Sequence, residues 1–260
     1  MNEPLLTNRM KKEFGSLDDA KGRRKAGLFV AEGTKCVLEL MAAFTPRHVF
    51  ALPEWVSEHG AELPLRPVEC GRGVLRELTR LSTTPPVVAF FELPAQELLP
   101  EPSYFASRLT VALDCVQDPG NLGTIIRTCN WFGIDTILAS RDTVDAFNPK
   151  TVQATMGALT RTHVIYTDLA AALAAMPSEV GIYGTFLDGD NIYTQPLDMP
   201  AVMIMGNEGR GISEAVARTV NRRLYIPSVP LDGSDAVESL NVATATAICL
   251  SEFAGRRYGR

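Results

Sequence analysis

The chain has 260 residues, of which 46% are hydrophobic and 21% charged, and its formal net charge is −5 at pH 7. This is an ordinary soluble composition that supplies a packed core, and the length predicts one large domain or two unequal ones. We find no apolar run near the roughly 20 residues that cross a bilayer. We also find no basic and apolar secretory signal at the N-terminus. We therefore expect a cytoplasmic protein without a membrane partner.

The cysteines indicate neither disulfides nor a metal site. Their number is odd, they are widely spaced in apolar surroundings, and they form no CxxC pair or zinc-ligand spacing. The five are Cys36, Cys70, Cys115, Cys129 and Cys249. We expect buried, reduced thiols and no metal cofactor.

A locally basic segment lies near the start of this acidic chain. Between residues 9 and 25, seven basic side chains stand against three acidic ones. Such a segment suits phosphate contact, although a solvated charged helix has the same composition. The candidate contacts are Arg9, Lys11, Lys12, Arg23, Arg24 and Lys25.

Short apolar runs alternate with helical stretches in the first ninety residues. The pattern predicts strands at 28–30, 46–52 and 86–91, with helices at about 35–44 and 73–81. Three prolines among acidic and polar residues follow, at positions 94, 100 and 102, which is typical of a linker. We therefore predict a small α/β domain at 1–95, a linker at 96–107 and a larger domain at 108–260.

Regularly spaced apolar runs continue beyond the linker. They predict strands at 109–116, 136–139, 163–166, 181–187, 201–205 and 223–226. The predicted helices lie at 122–132, 149–159, 169–176, 214–220 and 239–257. Strands that alternate with helices indicate a parallel α/β sheet.

The first strand of this second half leads into a turn and a helix. Pro119 and Gly120 turn the chain, and Asn121 is suited to cap the helix that follows. Arg127 falls on the polar face of that helix, near the sheet edge where ligands of open α/β sheets bind. An exposed arginine is usually only solvated, but this position also suits contact with an anion or a ribose.

A glycine-rich loop follows the strand at 201–205. It contains Gly206, Gly209 and Gly211 and ends at Ser213, which is suited to cap a helix. Glycine lets a ligand approach the backbone closely. Taken alone, the pattern equally fits an ordinary glycine-rich turn between a strand and a helix.

A third loop connects the last predicted strand to the last predicted helix. Asn241 lies in the first turn of that helix, although helix interiors do not favour asparagine. We therefore expect Asn241 to make a local backbone hydrogen bond or a ligand contact.

Together, these three segments resemble the three motifs of the SpoU/TrmH family of RNA ribose methyltransferases, in the SPOUT superfamily. The matching runs are Asp118-Pro-Gly-Asn-Leu-Gly-Thr-Ile-Ile-Arg-Thr-Cys129, Met205-Gly-Asn-Glu-Gly-Arg-Gly-Ile-Ser213, and Ile226-Pro227 with Glu238-Ser-Leu-Asn-Val-Ala-Thr-Ala245. They occur in the family's order and cover the region from about Leu109 to Arg257. Phe29–Gly33 is similar to part of the family's small substrate-binding domain.

The resemblance implies both a fold and an activity. The fold is a small ribosomal-protein-like α/β domain followed by a SPOUT-type parallel sheet with helices on both faces. A deep C-terminal trefoil knot is implied too, which general rules of chain topology would exclude. The activity is methyl transfer from S-adenosylmethionine to a ribose 2′-hydroxyl in structured RNA, with rRNA favoured over tRNA. The implied assembly is a homodimer whose active site uses both subunits.

The resemblance also implies roles for individual residues. The implied catalytic residues are Arg127, Asn121, Glu208, Ser239 and Asn241. The implied cofactor-binding residues are Gly206, Ile226, Leu240, Thr185, Asn207 and Gly209. The basic residues near the N-terminus become candidate RNA contacts.

The chemistry of arginine narrows the role of Arg127. Because arginine stays protonated in proteins, we expect Arg127 to orient the ribose or its phosphate and to stabilise developing negative charge, rather than to act as a base. One departure from the family is the eleven-residue loop at 228–238, which is longer and more acidic than the family's compact loop.

Two other functions are compatible with parts of this pattern. A nucleotide- or dinucleotide-binding enzyme is disfavoured, because the glycines lie late in the chain and lack the G-x-G-x-x-G order at the first strand–helix turn. An RNA-binding or ribosome-associated module that has kept the fold without catalysis would have the same charge distribution. The presence of Asn121, Arg127, Glu208 and Asn241 favours retained catalysis.

Overall fold

The computed structural model describes residues 6–229 and 239–257. These residues form two compact units. The first unit holds the chain up to Ala95 together with Asp145–Thr160, and the second holds Gln96–Val144 and the residues from Arg161 onward. The division predicted from the sequence assigns 145–160 to the larger domain, whereas these residues pack with the first unit.

The first unit contains a four-stranded sheet. Its strands are β1 (Leu28–Glu32), β2 (Pro46–Ala51), β3 (Val68–Glu69) and β4 (Val87–Glu92). Its helices before residue 95 are α1 (Asn8–Gly15), α2 (Ala20–Ala26), α3 (Thr34–Met41), α4 (Pro53–His59) and α5 (Arg72–Leu78). The strand order is β1–β4–β2–β3, with β4 antiparallel to both β1 and β2. The three predicted strands are confirmed, while α1, α2 and α4 were missed because they are short and rich in polar residues.

The second unit contains a six-stranded sheet in which all pairs are parallel. Its strands are β5 (Leu109–Leu113), β6 (Thr136–Ser140), β7 (His163–Thr167), β8 (Gly181–Asn191), β9 (Ala201–Met205) and β10 (Arg222–Tyr225). Its helices are α6 (Pro119–Trp131), α8 (Leu169–Ala174), α9 (Glu214–Ala217) and α10 (Val242–Arg257), while α7 (Pro149–Thr155) belongs to the first unit. The strand order is β10–β8–β9–β5–β6–β7. The predicted parallel α/β sheet is confirmed.

Side chains on both faces of this sheet pack against helices. Ile182 of β8 belongs to a buried cluster with residues of α8 and α9. Tyr183, the next residue along β8, points the other way, and its ring lies 5.1 Å from that of Phe253 in α10. Successive side chains of a strand face opposite sides, so α10 covers the face opposite to α8 and α9. This explains why β5, β6 and β9 are almost continuous apolar runs.

The order of the strands creates a switch point between β5 and β9. From β5 the chain builds β6 and β7 on one side of the sheet, then returns through β8 and β9 on the other. The loops after β5 and after β9 therefore leave neighbouring strands at the same carboxyl edge. In open α/β sheets, such a point is where ligands usually bind.

The segment 145–160 is part of the apolar core of the first unit. The Phe147 ring lies 4.9 Å from that of Phe29 and 5.9 Å from that of Phe44. On α3, the Cys36 thiol donates to the carbonyl of Val152 across 3.7 Å. These contacts join residues more than a hundred positions apart, which is why the sequence pattern did not place 145–160 here.

Arg23 corrects one prediction for the basic segment. Its side chain is only 2% exposed, and its Nη2 lies 2.5 Å from Oδ2 of Asp145. Its Nη1 also donates to the carbonyl of Leu17 across 2.7 Å. A guanidinium that is buried and paired in this way cannot contact a phosphate, so the predicted role of Arg23 is wrong. The other five candidates are exposed: Arg9, Lys11, Lys12, Arg24 and Lys25.

Arg23→Ala should destabilise the protein strongly, because it leaves the Asp145 carboxylate without its partner. Removing one member of a buried ion pair typically costs about 3–5 kcal/mol, and we expect the lower end because Asp145 is 31% exposed. The measurement is the free energy of unfolding in urea. Arg24→Ala, one residue along the same helix and exposed, is the matched control and should change it by less than about 0.5 kcal/mol. Equal effects of the two substitutions would contradict this account.

Candidate functional site

The helix after β5 is capped by Asp118, not by Asn121 as the sequence suggested. The Asp118 side chain accepts a hydrogen bond from the Asn121 N–H across 2.8 Å, and Pro119 occupies the first helical position. Both features are typical of a helix N-terminus. Because Asp118 supplies the cap, the Asn121 side chain is available for a contact outside its own helix.

Asn121, Glu208 and Asn241 form one hydrogen-bonded network at the switch point. The Nδ2 of Asn121 donates to Oε1 of Glu208 across 2.9 Å. The Nδ2 of Asn241 donates to Oδ1 of Asn121, also across 2.9 Å. Each of the three residues comes from a different loop, so the network joins the segments after β5, after β9 and before α10.

The start of α10 fixes the direction of this network. Oδ1 of Asn241 accepts hydrogen bonds from the N–H groups of Ala243 at 2.9 Å and Thr244 at 3.3 Å, which makes Asn241 the cap of α10. This confirms that Asn241 makes a local backbone bond. Because its oxygen faces the helix, its NH₂ group must face Asn121, whose own NH₂ group is then left for Glu208. Glu208 is exposed, so its carboxylate can also accept a hydrogen bond from a ligand.

The other predicted site residues lie outside this network. Arg127 is exposed on α6, and its side chain makes no hydrogen bond or ion pair with the residues that the structure describes. Ser239 and Leu240 are exposed just before α10, while Ile226, after β10, and Thr185, on β8, are partly buried. In the described parts of the chain, no hydrogen bond links any of these five to Asn121 or Glu208. Most of the long acidic loop, residues 230–238, lies outside the described residues.

Gly206 is required by the backbone of its own loop. A Cβ at this position would lie 2.3 Å from the carbonyl carbon of Gly211 and 2.4 Å from the nitrogen of Ile212. The loop closes here because Asn207 and Gly211 exchange two backbone hydrogen bonds, of 3.0 and 2.9 Å. The close approach that demands a glycine is therefore made by the chain itself. A cofactor contact of Gly206 stays a prediction.

The Asn207 side chain holds the same loop in shape. Its Oδ1 accepts from the N–H groups of Gly209 and Arg210, each at 3.0 Å. Its Nδ2 donates to the carbonyl of Cys115, in the loop after β5, across 2.8 Å. The predicted cofactor contact of Asn207 thus competes with three hydrogen bonds inside the protein.

A buried carboxylate makes a second tie between the two loops. Asp114 is only 5% exposed, and its Oδ2 accepts from the N–H of Ser213 across 2.6 Å. Ser213 precedes α9 as predicted, but its side chain makes no capping bond. The sequence analysis missed Asp114, and an acidic residue at the end of an otherwise apolar strand was the signal that could have found it.

Cys115 has an unusual backbone conformation that is fixed from two sides. Its φ of 59° lies in the left-handed region, which non-glycine residues rarely adopt. Its N–H donates to Oγ of Ser140 across 2.8 Å, and its carbonyl accepts from Asn207. Burial, followed by the nearby Asp142, raises the pKa of the Cys115 thiol. The raised pKa favours the protonated thiol near neutral pH.

Within the described parts of the chain, no group of three or more His, Cys, Asp or Glu side chains could hold a metal ion. Over the same residues, no helix is long and apolar enough to cross a membrane.

Comparison with known proteins identifies the family. The SpoU rRNA Methylase family model matches residues 108–251, more than half of the chain. This chain belongs to the SpoU rRNA methylase family. A second family model, the MRM3-like substrate binding domain, matches residues 8–89.

Individual relatives match almost the whole length of the chain. It is 30% identical over 251 residues to a 23S rRNA guanosine-2′-O-methyltransferase of Bacillus subtilis, covering 95% of this chain and 97% of the relative. A solved TrmH-family protein from Porphyromonas gingivalis is 36% identical, with a TM-score of 0.83 over 96% of this chain and 99% of that one. An AdoMet-bound rRNA methyltransferase from Sinorhizobium meliloti is 30% identical, with a TM-score of 0.81 over 98% and 97% of the two chains.

Gly206→Ala should destabilise the protein, because the added Cβ would overlap the backbone at Gly211 and Ile212. Overpacking of a tight site typically costs about 1–3 kcal/mol, which a drop in the thermal unfolding midpoint would report. Gly209→Ala is the matched control for stability, since its nearest neighbour would be the Asn207 Oδ1 at 3.8 Å. A thermal midpoint for Gly206→Ala as high as that of Gly209→Ala would show that the loop can open without cost.

Proposed function

We propose that this chain transfers a methyl group from S-adenosylmethionine to a ribose 2′-hydroxyl in structured RNA. Ribosomal RNA is the first candidate substrate and tRNA the second, with the reaction taking place in the cytoplasm. The observation that carries the proposal is the Asn121–Glu208–Asn241 network at the switch point of the sheet. The 23S rRNA methyltransferase from Bacillus subtilis, which aligns with nearly all of this chain, supports the choice of substrate.

The chemistry of the site fits S-adenosylmethionine. The network offers a carboxylate and amide oxygens, which attract a positively charged sulfonium group. Leu240 is 46% exposed beside this network, and Ile226 is partly buried, so both present apolar surface for an adenine ring. We infer that these two residues, Gly206 and Thr185 line the cofactor site. When bound, S-adenosylmethionine supplies an already activated methyl group.

The residues of the chain then have to orient the ribose and stabilise charge. Methyl transfer requires the 2′-oxygen to lie in line with the methyl carbon and to release its proton to water, while the sulfur leaves as the neutral thioether of S-adenosylhomocysteine. We assign the orientation of the ribose to Glu208, which Asn121 holds in place. We infer that Ser239 and Asn241 supply further polar contacts beside it. We assign stabilisation of the developing negative charge to Arg127, whose exposed guanidinium carries a permanent positive charge.

The remaining features of the proposal concern the whole protein. We infer that the first unit binds RNA through Arg9, Lys11, Lys12, Arg24 and Lys25. These side chains are exposed and lie in a segment that is basic within an acidic chain, as expected of a phosphate-contacting surface.

We further propose a homodimer whose active site uses both subunits, and a trefoil knot formed by the C-terminal segment.

The identity of the substrate can be tested by mapping ribose methylation in total RNA from cells with and without this gene. We expect one or a few 2′-O-methyl positions in rRNA to disappear when the gene is absent. Calorimetry with S-adenosylmethionine, NAD and ATP separates the alternatives, because binding of S-adenosylmethionine alone is expected. A protein that binds RNA but not S-adenosylmethionine would instead be a module without catalysis.

Arg127→Lys should reduce turnover while leaving cofactor binding intact. Lysine keeps the charge but loses the planar, two-pronged geometry of the guanidinium, and removal of one such stabilising group typically lowers kcat by about 10²–10³-fold. The measurements are single-turnover methylation of rRNA and calorimetric affinity for S-adenosylmethionine. Near-wild-type turnover of Arg127→Lys would refute the assigned role.

A further inference from the structure

We infer that Asn207 is a positioning residue for methyl transfer: its side-chain amide clamps the loop after β9 to Cys115 and thereby sets Glu208 against Asn121. This inference rests on the proposed role of Glu208. It assigns Asn207 a task different from the cofactor contact that the family resemblance suggested.

Asn207 directly precedes Glu208 in the glycine-rich loop. The Asn207 backbone pairs with Gly211, and its Oδ1 accepts from the N–H groups of Gly209 and Arg210. The Asn207 side chain therefore holds the turn that contains Glu208 in its shape. Glu208 itself is exposed and gains little restraint from packing.

The nitrogen of the Asn207 side-chain amide is bound to the backbone of Cys115. Nδ2 of Asn207 donates to the carbonyl of Cys115 across 2.8 Å. This carbonyl belongs to a residue held in the left-handed region by the hydrogen bond from its N–H to Oγ of Ser140 on β6. Backbone conformations of this kind persist when their surroundings over-determine them, and they are common at functional sites. The N–H of Cys115 thus ties this residue to the sheet, while its carbonyl accepts from Asn207.

Hydrogen bonds that involve side chains connect the loop after β5 to the loop after β9. Three long-range side-chain contacts connect them: Ser213 N–H to Asp114, Asn207 to Cys115, and Asn121 to Glu208. The first holds the end of the glycine-rich loop and the second holds its start. The third involves a proposed active-site group and is exposed. Without the second tie, the Glu208 carboxylate can move away from Asn121, and a misplacement of about 1 Å can cost about 10²-fold in rate.

The test uses Asn207→Asp in the full-length chain. Aspartate keeps the oxygen that accepts from Gly209 and Arg210, but it turns a carboxylate oxygen towards the Cys115 carbonyl, so the clamp is replaced by repulsion. We expect kcat to fall by about 10- to 100-fold, with the affinity for S-adenosylmethionine unchanged by calorimetry. Asn207→Ser, whose hydroxyl is too short to reach Cys115, gives a second variant with the clamp removed and no added charge.

A double-mutant cycle with Glu208→Gln provides the readout that a purely structural role would not give. If Asn207 acts through Glu208, the two substitutions are not additive, and Asn207→Asp lowers kcat little in the Glu208→Gln background. The matched control is Asn221→Asp. The Asn221 side chain also accepts a hydrogen bond from a backbone N–H, that of Ile182 at 2.9 Å. This bond lies near the amino-terminal end of β8, whereas the proposed site lies at the carboxyl ends of the strands. The kcat of the Asn221→Asp variant should equal that of the wild type.

The outcomes separate the two claims. If Glu208→Gln alone keeps full activity, the proposed role of Glu208 is wrong. If Glu208→Gln is impaired but Asn207→Asp and Asn207→Ser are normal, or if their effects add fully to that of Glu208→Gln, the clamp is wrong. A fall in kcat for both Asn207 variants that disappears in the Glu208→Gln background supports it.

Discussion

The candidate site depends on the way that helix α10 begins. Two backbone N–H groups at its start bind the side-chain oxygen of Asn241, and this settles the orientation of two consecutive amides. An amide has one accepting and one donating end, so an orientation fixed at one end of the network is passed on, through Asn121, to Glu208. A helix terminus thereby orders the hydrogen-bonding pattern of a surface that would otherwise be free to rearrange.

The fold makes this order possible by bringing the ends of β5 and β9 side by side. Neighbouring parallel strands deliver their loops to one edge, and the buried Asp114 carboxylate and the Asn207 amide tie those loops together. The exposed polar groups of the site are thus held in place by hydrogen bonds of Asp114 and Asn207 beneath them. This division suits a site that must hold its geometry before its ligands arrive.

The sequence alone predicts much of this arrangement, and the limits of that prediction have a physical cause. Strands and helices with clear periodicity were found, and three loops at the sheet edge were recognised, because these signals are local. The clamp of Asn207 and the burial of Arg23 were not, since each depends on a partner that only the folded chain reveals. The cap at Asp118 has a partner only three residues away, and it was missed because Asn121 is an equally suitable capping residue type. Asn121 illustrates the difference: its helix was predicted, but its hydrogen bonds to Glu208 and Asn241 span 87 and 120 positions.

The packing of 145–160 with the first unit has a consequence for how the protein is made. The chain passes between the two units three times, after Ala95, after Val144 and after Thr160. On the ribosome, the N-terminal unit therefore cannot complete its core when residue 95 emerges, although domains generally fold as units during synthesis. It must wait until Phe147 and Val152 have followed, by which time β5 and β6 of the second unit are also present. Segments of the two units thus alternate along the chain, and the units are not connected by a single linker.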